Sequence, residues 1–283
     1  MKRITSLVRR AVEDYDMVSD GDRVAVGVSG GKDSLALTAS LAALSRYYPK
    51  KFTVVAMTLD MTGNGDFSRI ADFCRELGVE YHVKPTNIRE VVFDIRKEPN
   101  PCALCAKLRR GALNNMAIEY GCRRVALGHH MDDVLETFML SLLYEGRINC
   151  FSPVTYLDRT DIYSIRPLIY VREGDIRGTA ERLALPVQKS GCPADGITKR
   201  ADMKKIIREL EDETYAGLKK RLAIFAKKYP DLCRQEKTHE QDGVSYVLDK
   251  SRLSIRLHPP MSEERRQKAS ENAKQNGFKS RTE

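Results

Sequence analysis

Apolar residues recur at helical spacing near the start of the chain, at Ile4, Leu7, Val8, Val12 and Tyr15, and give way to the turn signal Asp20-Gly21-Asp22. This spacing predicts a helix within residues 1–18. From Arg23 to Val28 the residues turn β-branched and apolar, as in a buried strand, and a glycine-rich turn leads at once into the helical run Ser34–Tyr47. The same order then repeats. Phe52–Leu59 reads as a strand, Phe67–Leu77 as a helix and Val79–Val83 as a strand; Cys105–Tyr120, Arg124–Leu127 and Met131–Leu143 continue as helix, strand and helix. Such alternation predicts an α/β fold, a doubly wound parallel sheet with helices on both faces and ligands beyond the carboxyl ends of its strands.

After Gly146 the texture changes. Val154–Asp158 and Tyr163–Ile169 flank a polar turn at Asp158–Asp161, a hairpin-like excursion, and Glu173–Leu185 has helical character. Residues 196–235 are expected to be mostly helical and basic. Twelve Lys and Arg stand against seven Asp and Glu in residues 196–237, so much of the formal charge of +9 lies late in the chain. The last stretch, 261–283, is rich in Glu, Arg, Lys, Ser and Asn with almost no apolar anchors, the composition of a solvated or disordered tail. The expected organisation is an N-terminal helix (1–18), a main α/β domain (19–195), a basic helical extension (196–235) and a C-terminal segment (236–283).

With 283 residues and 42% hydrophobic content the chain can fill a sizeable core. No run approaches the roughly 20 apolar residues that span a bilayer, and the first residues lack an apolar signal core. A soluble cytoplasmic protein with no membrane partner is therefore expected. The positive charge suits a polyanionic partner such as nucleic acid. Seven cysteines, an odd number without an export signal, argue against a disulfide framework and direct attention to metal or redox chemistry.

The run Ser29-Gly30-Gly31-Lys32-Asp33-Ser34 lies where a predicted strand meets a helix, the place where backbone N–H groups and the helix dipole attract phosphate. Gly30 and Gly31 permit close backbone approach, Ser29 and Ser34 add hydroxyls, Lys32 supplies charge, and Asp33 is suited to holding magnesium on the phosphates. It is not a Walker A loop. That pattern needs Gly where Val26 stands and Ser or Thr where Asp33 stands, so γ-phosphate transfer is disfavoured.

Cys102 and Cys105 stand one turn apart at a predicted helix start, a position that favours thiolate and metal ligation. Cys192, in the Gly/Pro-flanked turn Gly191-Cys192-Pro193, is the best remaining third ligand. Three cysteines suit an iron–sulfur cluster with one open iron at least as well as zinc, which prefers four ligands. A redox pair or buried thiols also remain open. Cys74, Cys122, Cys150 and Cys233 lack a partner pattern.

The loop is a complete match to SGGxDS, and here the chain resembles the N-type ATP pyrophosphatases, or PP-loop enzymes. In that superfamily the loop grips the pyrophosphate end of ATP while an acceptor oxygen attacks the α-phosphorus. With Cys102-Ala103-Leu104-Cys105 and the following Leu108-Arg109-Arg110-Gly111, the resemblance narrows to the TtcA-type tRNA 2-thiocytidine synthases. It covers about residues 20–195 and implies a 4Fe-4S cluster on Cys102, Cys105 and Cys192. ATP and Mg2+ are the other implied cofactors, and tRNA the substrate. The implied reaction is ATP-dependent conversion of cytidine 32 in the anticodon loop to 2-thiocytidine, with sulfur from a cysteine desulfurase or inorganic sulfide. Homodimerisation is left open.

A second shared block, Leu127-Gly128-His129-His130-Met131-Asp132-Asp133 with Glu136-Thr137, falls at another strand-to-helix junction. Gly128 and His129 are expected beside ATP. Asp132 and Asp133 suit magnesium or a catalytic proton, with Asp133 preferred, or else cap the helix that begins near Met131. Arg166-Pro167-Leu168 also matches the family, with no role legible. RNA contacts are expected from Arg109 and Arg110 and from the late basic residues Lys199, Arg200, Lys204, Lys205 and Arg208; taken singly each of the late residues reads better as part of a solvated helix face, and as a group they read better as an RNA surface. Rival readings are thiolation of another base, a lysidine-type ligase that would not need the three cysteines, and a non-catalytic ATP-binding iron–sulfur sensor.

Overall fold

A computed structural model describes residues 1–96, 101–188, 200–208, 227, 233–238 and 244–248. Two compact units divide the chain at residue 208. In the first, six strands form one sheet in the order β3-β2-β1-β4-β6-β5: β1 (Asp22–Gly27), β2 (Phe52–Asp60), β3 (Glu80–Pro85), β4 (Arg124–Ala126), β5 (Val154–Leu157) and β6 (Ile162–Ile165). All neighbouring pairs are parallel except β5 and β6, which pair antiparallel.

The period-two alternation of the strands decides which side chains face which layer. Val24, Val26, Val54 and Ala56 point into one core with helices α1 (Lys2–Asp14), α2 (Lys32–Ser45) and α6 (Glu173–Arg182). Ala25, Val55, Met57 and Val125 point the other way, onto Leu113, Met116 and Ala117 of α4 (Pro101–Glu119). Helix α1 joins the first of these cores through Ile4, Val8, Ala11 and Val12, one stripe at helical spacing. The run from Leu35 to Leu44 in α2 is buried almost all round, so its helix is a core element with little amphipathic character. Helix α3 (Ser68–Leu77) ends at Gly78, whose left-handed φ of 67° lets the chain turn back toward β3.

The doubly wound expectation holds, with corrections in detail. The stretch after Gly146 is indeed a hairpin, but its second strand also pairs in parallel with β4 and extends the main sheet. That strand ends at Ile165; the predicted continuation to Ile169 is a turn closed by bonds from Ile169 N to Arg166 O and from Val171 N to Leu168 O. Glu90–Arg96 forms a π-helical turn that no periodicity announced. The mostly helical expectation for 196–235 holds for residues 200–208. It fails at Cys233–Thr238, a strand (β7) pairing antiparallel with β8 (Val244–Leu248) in the second unit. Arg234-Gln235-Glu236-Lys237 has neither strand alternation nor β-branched residues to signal it. No helix among the described residues is long and apolar enough to cross a membrane.

Candidate active site

The order of the strands turns outward on both sides of β1 and β4, and the crevice at such a switch point is where doubly wound sheets bind ligands. A cleft of about 840 Å³ opens there, past the ends of both strands. Its walls include Ser29, Asp33 and Ser34 from the β1–α2 junction and Gly128 and His129 from the junction of β4 with helix α5 (Met131–Glu145), with Cys102, Arg109 and Arg110 from α4. The two motif blocks and the first cysteine of the pair thus face one space.

The nucleotide loop holds itself in shape. Ser34 Oγ donates to Gly31 O (2.9 Å) and accepts from Ser29 N (3.2 Å), while Gly31 N donates to Ser29 Oγ (3.4 Å). Gly30 has φ 79°, a conformation that favours glycine, and its carbonyl accepts from Gln188 N (2.9 Å). At Gly128 a β-carbon would come within 3.3 Å of Ser34 N, so a larger residue there would require the backbone of the loop or of the second block to shift by a few tenths of an ångström. The first amides of α2 have no acceptor within the helix and are available to an anion.

Lys32 Nζ lies 3.1 Å from Asp33 Oδ2 and 3.1 Å from Glu173 Oε1. Burial alone would lower the lysine pKa; the two carboxylates outweigh it and raise the value. Burial likewise works to raise the Glu173 pKa, but Lys204 and Lys32 overcome it and hold the carboxyl down at about 2. Asp33 Oδ1 is buried without a hydrogen-bond partner and faces His130 Nε2 at 3.8 Å.

Both aspartates of the second block carry structural duties. His130 caps α5 (Met131–Glu145): its Nδ1 accepts from Asp133 N (3.3 Å), while Asp133 Oδ2 accepts from His130 N (3.0 Å). The other ring nitrogen, Nε2, faces Asp33. Asp133 Oδ1 stays 3.4 Å from Arg200 Nη1. Asp132 Oδ2 accepts from Glu173 N (2.7 Å), which fixes the start of α6 and so delivers Glu173 to Lys32. His129 is tilted against Phe151 with ring centroids 5.1 Å apart; burial, opposed by Asp133, lowers its pKa to about 4.

Cys102, Ala106, Arg109, Arg110 and Leu113 form the stripe of α4 that lines the cleft, at the spacing of one helix face. Cys102 is exposed and Cys105 half-buried in the helix's first turns. Cys74, by contrast, is buried with its thiol pKa raised to about 11, an inert thiol. Cys192 and Lys199 lie outside the described residues. Among the described residues no three His, Cys, Asp or Glu side chains gather as a metal site, which leaves any cluster dependent on a ligand beyond Cys102 and Cys105.

Of the late basic residues, Arg200 lines the cleft, and Lys204 is bound to Glu173 at 2.6 Å. Lys205 and Arg208 are exposed. Sequence reasoning missed Glu173, Gln188 and Phe151. None carries a motif signature; each reaches the site only through the tertiary path of its segment.

A family model described as a PP-loop domain matches residues 2–189. The tRNA-cytidine(32) 2-sulfurtransferase of Geobacter sulfurreducens is 39% identical over 219 residues, 76% of this chain and 85% of its own. That of Geobacter metallireducens is 37% identical over 233 residues, 81% and 91% of the two chains. Among solved structures, the U34-tRNA thiolase NcsA from Methanococcus maripaludis with its 4Fe-4S cluster superposes with a TM-score of 0.61 at 27% identity, covering 75% of this chain and 72% of that one.

Proposed function

The chain belongs to the PP-loop family, and on that premise we propose that it is an ATP-dependent tRNA sulfurtransferase that converts cytidine 32 to 2-thiocytidine, releasing AMP and pyrophosphate. One observation carries the reading: a phosphate-binding loop and the Cys102 thiol line the same cleft. Similarity to tRNA-cytidine(32) 2-sulfurtransferases over most of their length supports the substrate.

The chemistry divides into two substitutions. The O2 carbonyl oxygen of the base bonds to the α-phosphorus of ATP as the bond to the bridging oxygen breaks, and pyrophosphate leaves. Sulfur then bonds to C2 and the C2–O bond breaks, so that AMP carries away the base oxygen. The residues present serve the first step directly. Lys32 and the first-turn amides of α2 meet the growing charge on pyrophosphate. Asp33 fits a magnesium ion on the phosphates, because its buried Oδ1 has an unused acceptor site. Glu173 keeps Lys32 charged and oriented. His129, neutral at pH 7 with its pKa near 4, can hydrogen-bond the reacting groups without adding charge.

Cys102 and Cys105, with Cys192, would hold a 4Fe-4S cluster. The exposed thiol on the cleft wall fits such a ligand, and a solved relative contains the cluster. Bound there, the cluster would supply the handling of sulfur. Inorganic sulfide or a cysteine desulfurase would supply that sulfur. Anaerobic purification tests this part: a brown protein with iron and acid-labile sulfide supports it, with the colour lost on Cys102→Ala or Cys105→Ala. A colourless, iron-free and fully active protein overturns it.

A further inference from the structure

Among the described residues three buried side-chain atoms have no hydrogen-bond partner: Asp33 Oδ1, His129 Nδ1 and Arg166 Nε. All three residues line the one cleft. Asp33 and His129 belong to the two motif blocks, whereas Arg166 follows the last residue of β6 and has no part in the chemistry above.

Its guanidinium is held by one end. Nη1 donates to Ser152 O and to Thr155 Oγ1 (3.2 Å), and the plane lies over the Phe151 ring, 4.9 Å from the centroid. This anchoring leaves the edge formed by Nε and Nη2, the edge that takes an oxyanion through two parallel bonds. Among the described residues no carboxylate pairs with Arg166. What stands near it instead is a second guanidinium, Arg110, which adds to burial in pushing the Arg166 pKa down. A largely buried cation with a like charge beside it and no counter-ion is an unbalanced arrangement that an anion would correct.

A path of contacts runs from the phosphate loop to this charge. Gly128 packs on Ser34, the adjoining His129 leans on Phe151, and Arg166 lies over Phe151, so two rings intervene along that path. The phosphates of ATP already have Lys32 and the loop amides. At about 840 Å³ the cleft lies toward the upper end of the range of about 300–1,000 Å³ usual for ligand pockets, as a cleft that admits a nucleotide of a second substrate beside ATP requires.

We propose that Arg166, backed by Arg110, is the receptor for a phosphodiester of the RNA strand that carries the target nucleotide. The inference rests on the function proposed above, in which ATP and tRNA meet in this cleft. By binding the backbone and not the base edge, the pair would fix how deep the nucleotide enters while leaving base identity to other contacts.

The test compares wild-type full-length chain with Arg166→Lys, Arg166→Ala and Arg110→Ala. Affinity for tRNA is measured at several salt concentrations, and affinity for ATP separately. Lysine keeps the charge but loses the two-pronged edge; Arg110 is on an exposed stretch of α4, so its alanine variant keeps the question open to an answer if Arg166→Ala fails to fold. The expected result is tRNA binding weakened roughly tenfold or more by Arg166→Ala and less by Arg166→Lys, with a salt slope shallower by about one and ATP affinity unchanged. Unchanged tRNA affinity and slope in both Arg166→Lys and Arg110→Ala would overturn the proposal. So would a loss confined to ATP affinity, which would make the anion a phosphate of ATP. If wild-type chain bound ATP but no tRNA, the proposed function itself would have failed before any variant was compared.

Discussion

Glu173 Oε1 stands 3.1 Å from Lys32 Nζ while its other oxygen stands 2.6 Å from Lys204 Nζ. One carboxylate, 12% exposed, thereby joins the nucleotide loop to the helical stretch 200–208. The consequence is that Lys32, whose sequence context marks it as a phosphate ligand, is oriented by a residue outside either motif.

Glu173→Gln should therefore raise the KM for ATP and lower kcat/KM by roughly tenfold to a hundredfold, and cost about 1–3 kcal/mol of stability. The pH dependence has a definite sign. A carboxyl held near 2 in the folded chain, against an ordinary 4.5, contributes stability that is fully present above about pH 4.5 and is lost as pH falls toward 2. Denaturation midpoints of wild type and Glu173→Gln measured between pH 2 and 6 should converge at the acid end; parallel curves would show that the carboxylate is not the source.

His129 titrates in a different window. Its folded pKa of about 4 lies below the usual 6.5, so the unfolded chain takes up a proton that the folded chain refuses. Stability should be level above about pH 6.5 and fall through the interval down to pH 4, by up to about 3 kcal/mol, with no further change from this group below that. His129→Gln should flatten that interval, as read by chemical denaturation at half-unit pH steps.

At Gly128 an added methyl would meet the amide of Ser34 at 3.3 Å, where backbone cannot yield as a side chain can. Gly128→Ala should displace the second block from the loop, reducing ATP affinity at least tenfold, whereas Gly111→Ala, with open space around it, should leave ATP affinity unchanged. Equilibrium nucleotide binding distinguishes the two.

Much of this site was legible in the order of residues because its parts are local. A β-branched run into Ser29-Gly30-Gly31-Lys32-Asp33-Ser34 encodes strand, turn and helix within a few residues, and Cys102, Ala106, Arg109 and Arg110 share a face by helical spacing alone. The alternative reading of Asp133 as a helix cap was also open from sequence, and the structure contains that cap. What stayed hidden depends on long-range pairing. Ile162–Ile165 joins β4 across nearly 40 residues of chain, which periodicity within the strand does not reveal. Glu173 reaches Lys32 because Asp132 caps α6 and Met131 N donates to Val171 O, two contacts between segments that carry no mark of each other. Arg166 gives the same lesson: its neighbours Phe151, Thr155 and Arg110 come from the loop before β5, from β5 and from α4.

Asp33 offers a stricter test of the loop, since its Oδ1 makes no hydrogen bond that folding would lose. Asp33→Asn should leave the melting temperature within a few degrees of wild type and reduce pyrophosphate release by about a hundredfold or more. Normal pyrophosphate release by this variant would remove Asp33 from the chemistry.

The central claim is that base adenylation and sulfur transfer happen in one cleft. Its most direct test is nucleoside mass spectrometry of tRNA after incubation with ATP, magnesium, sulfide and anaerobically prepared protein, with nucleotide products quantified in the same reaction. The expected products are 2-thiocytidine at position 32 together with equal amounts of AMP and pyrophosphate, and neither from Asp33→Ala. Unmodified tRNA, a thiouridine in place of thiocytidine, or ADP and phosphate as the nucleotide products would contradict it.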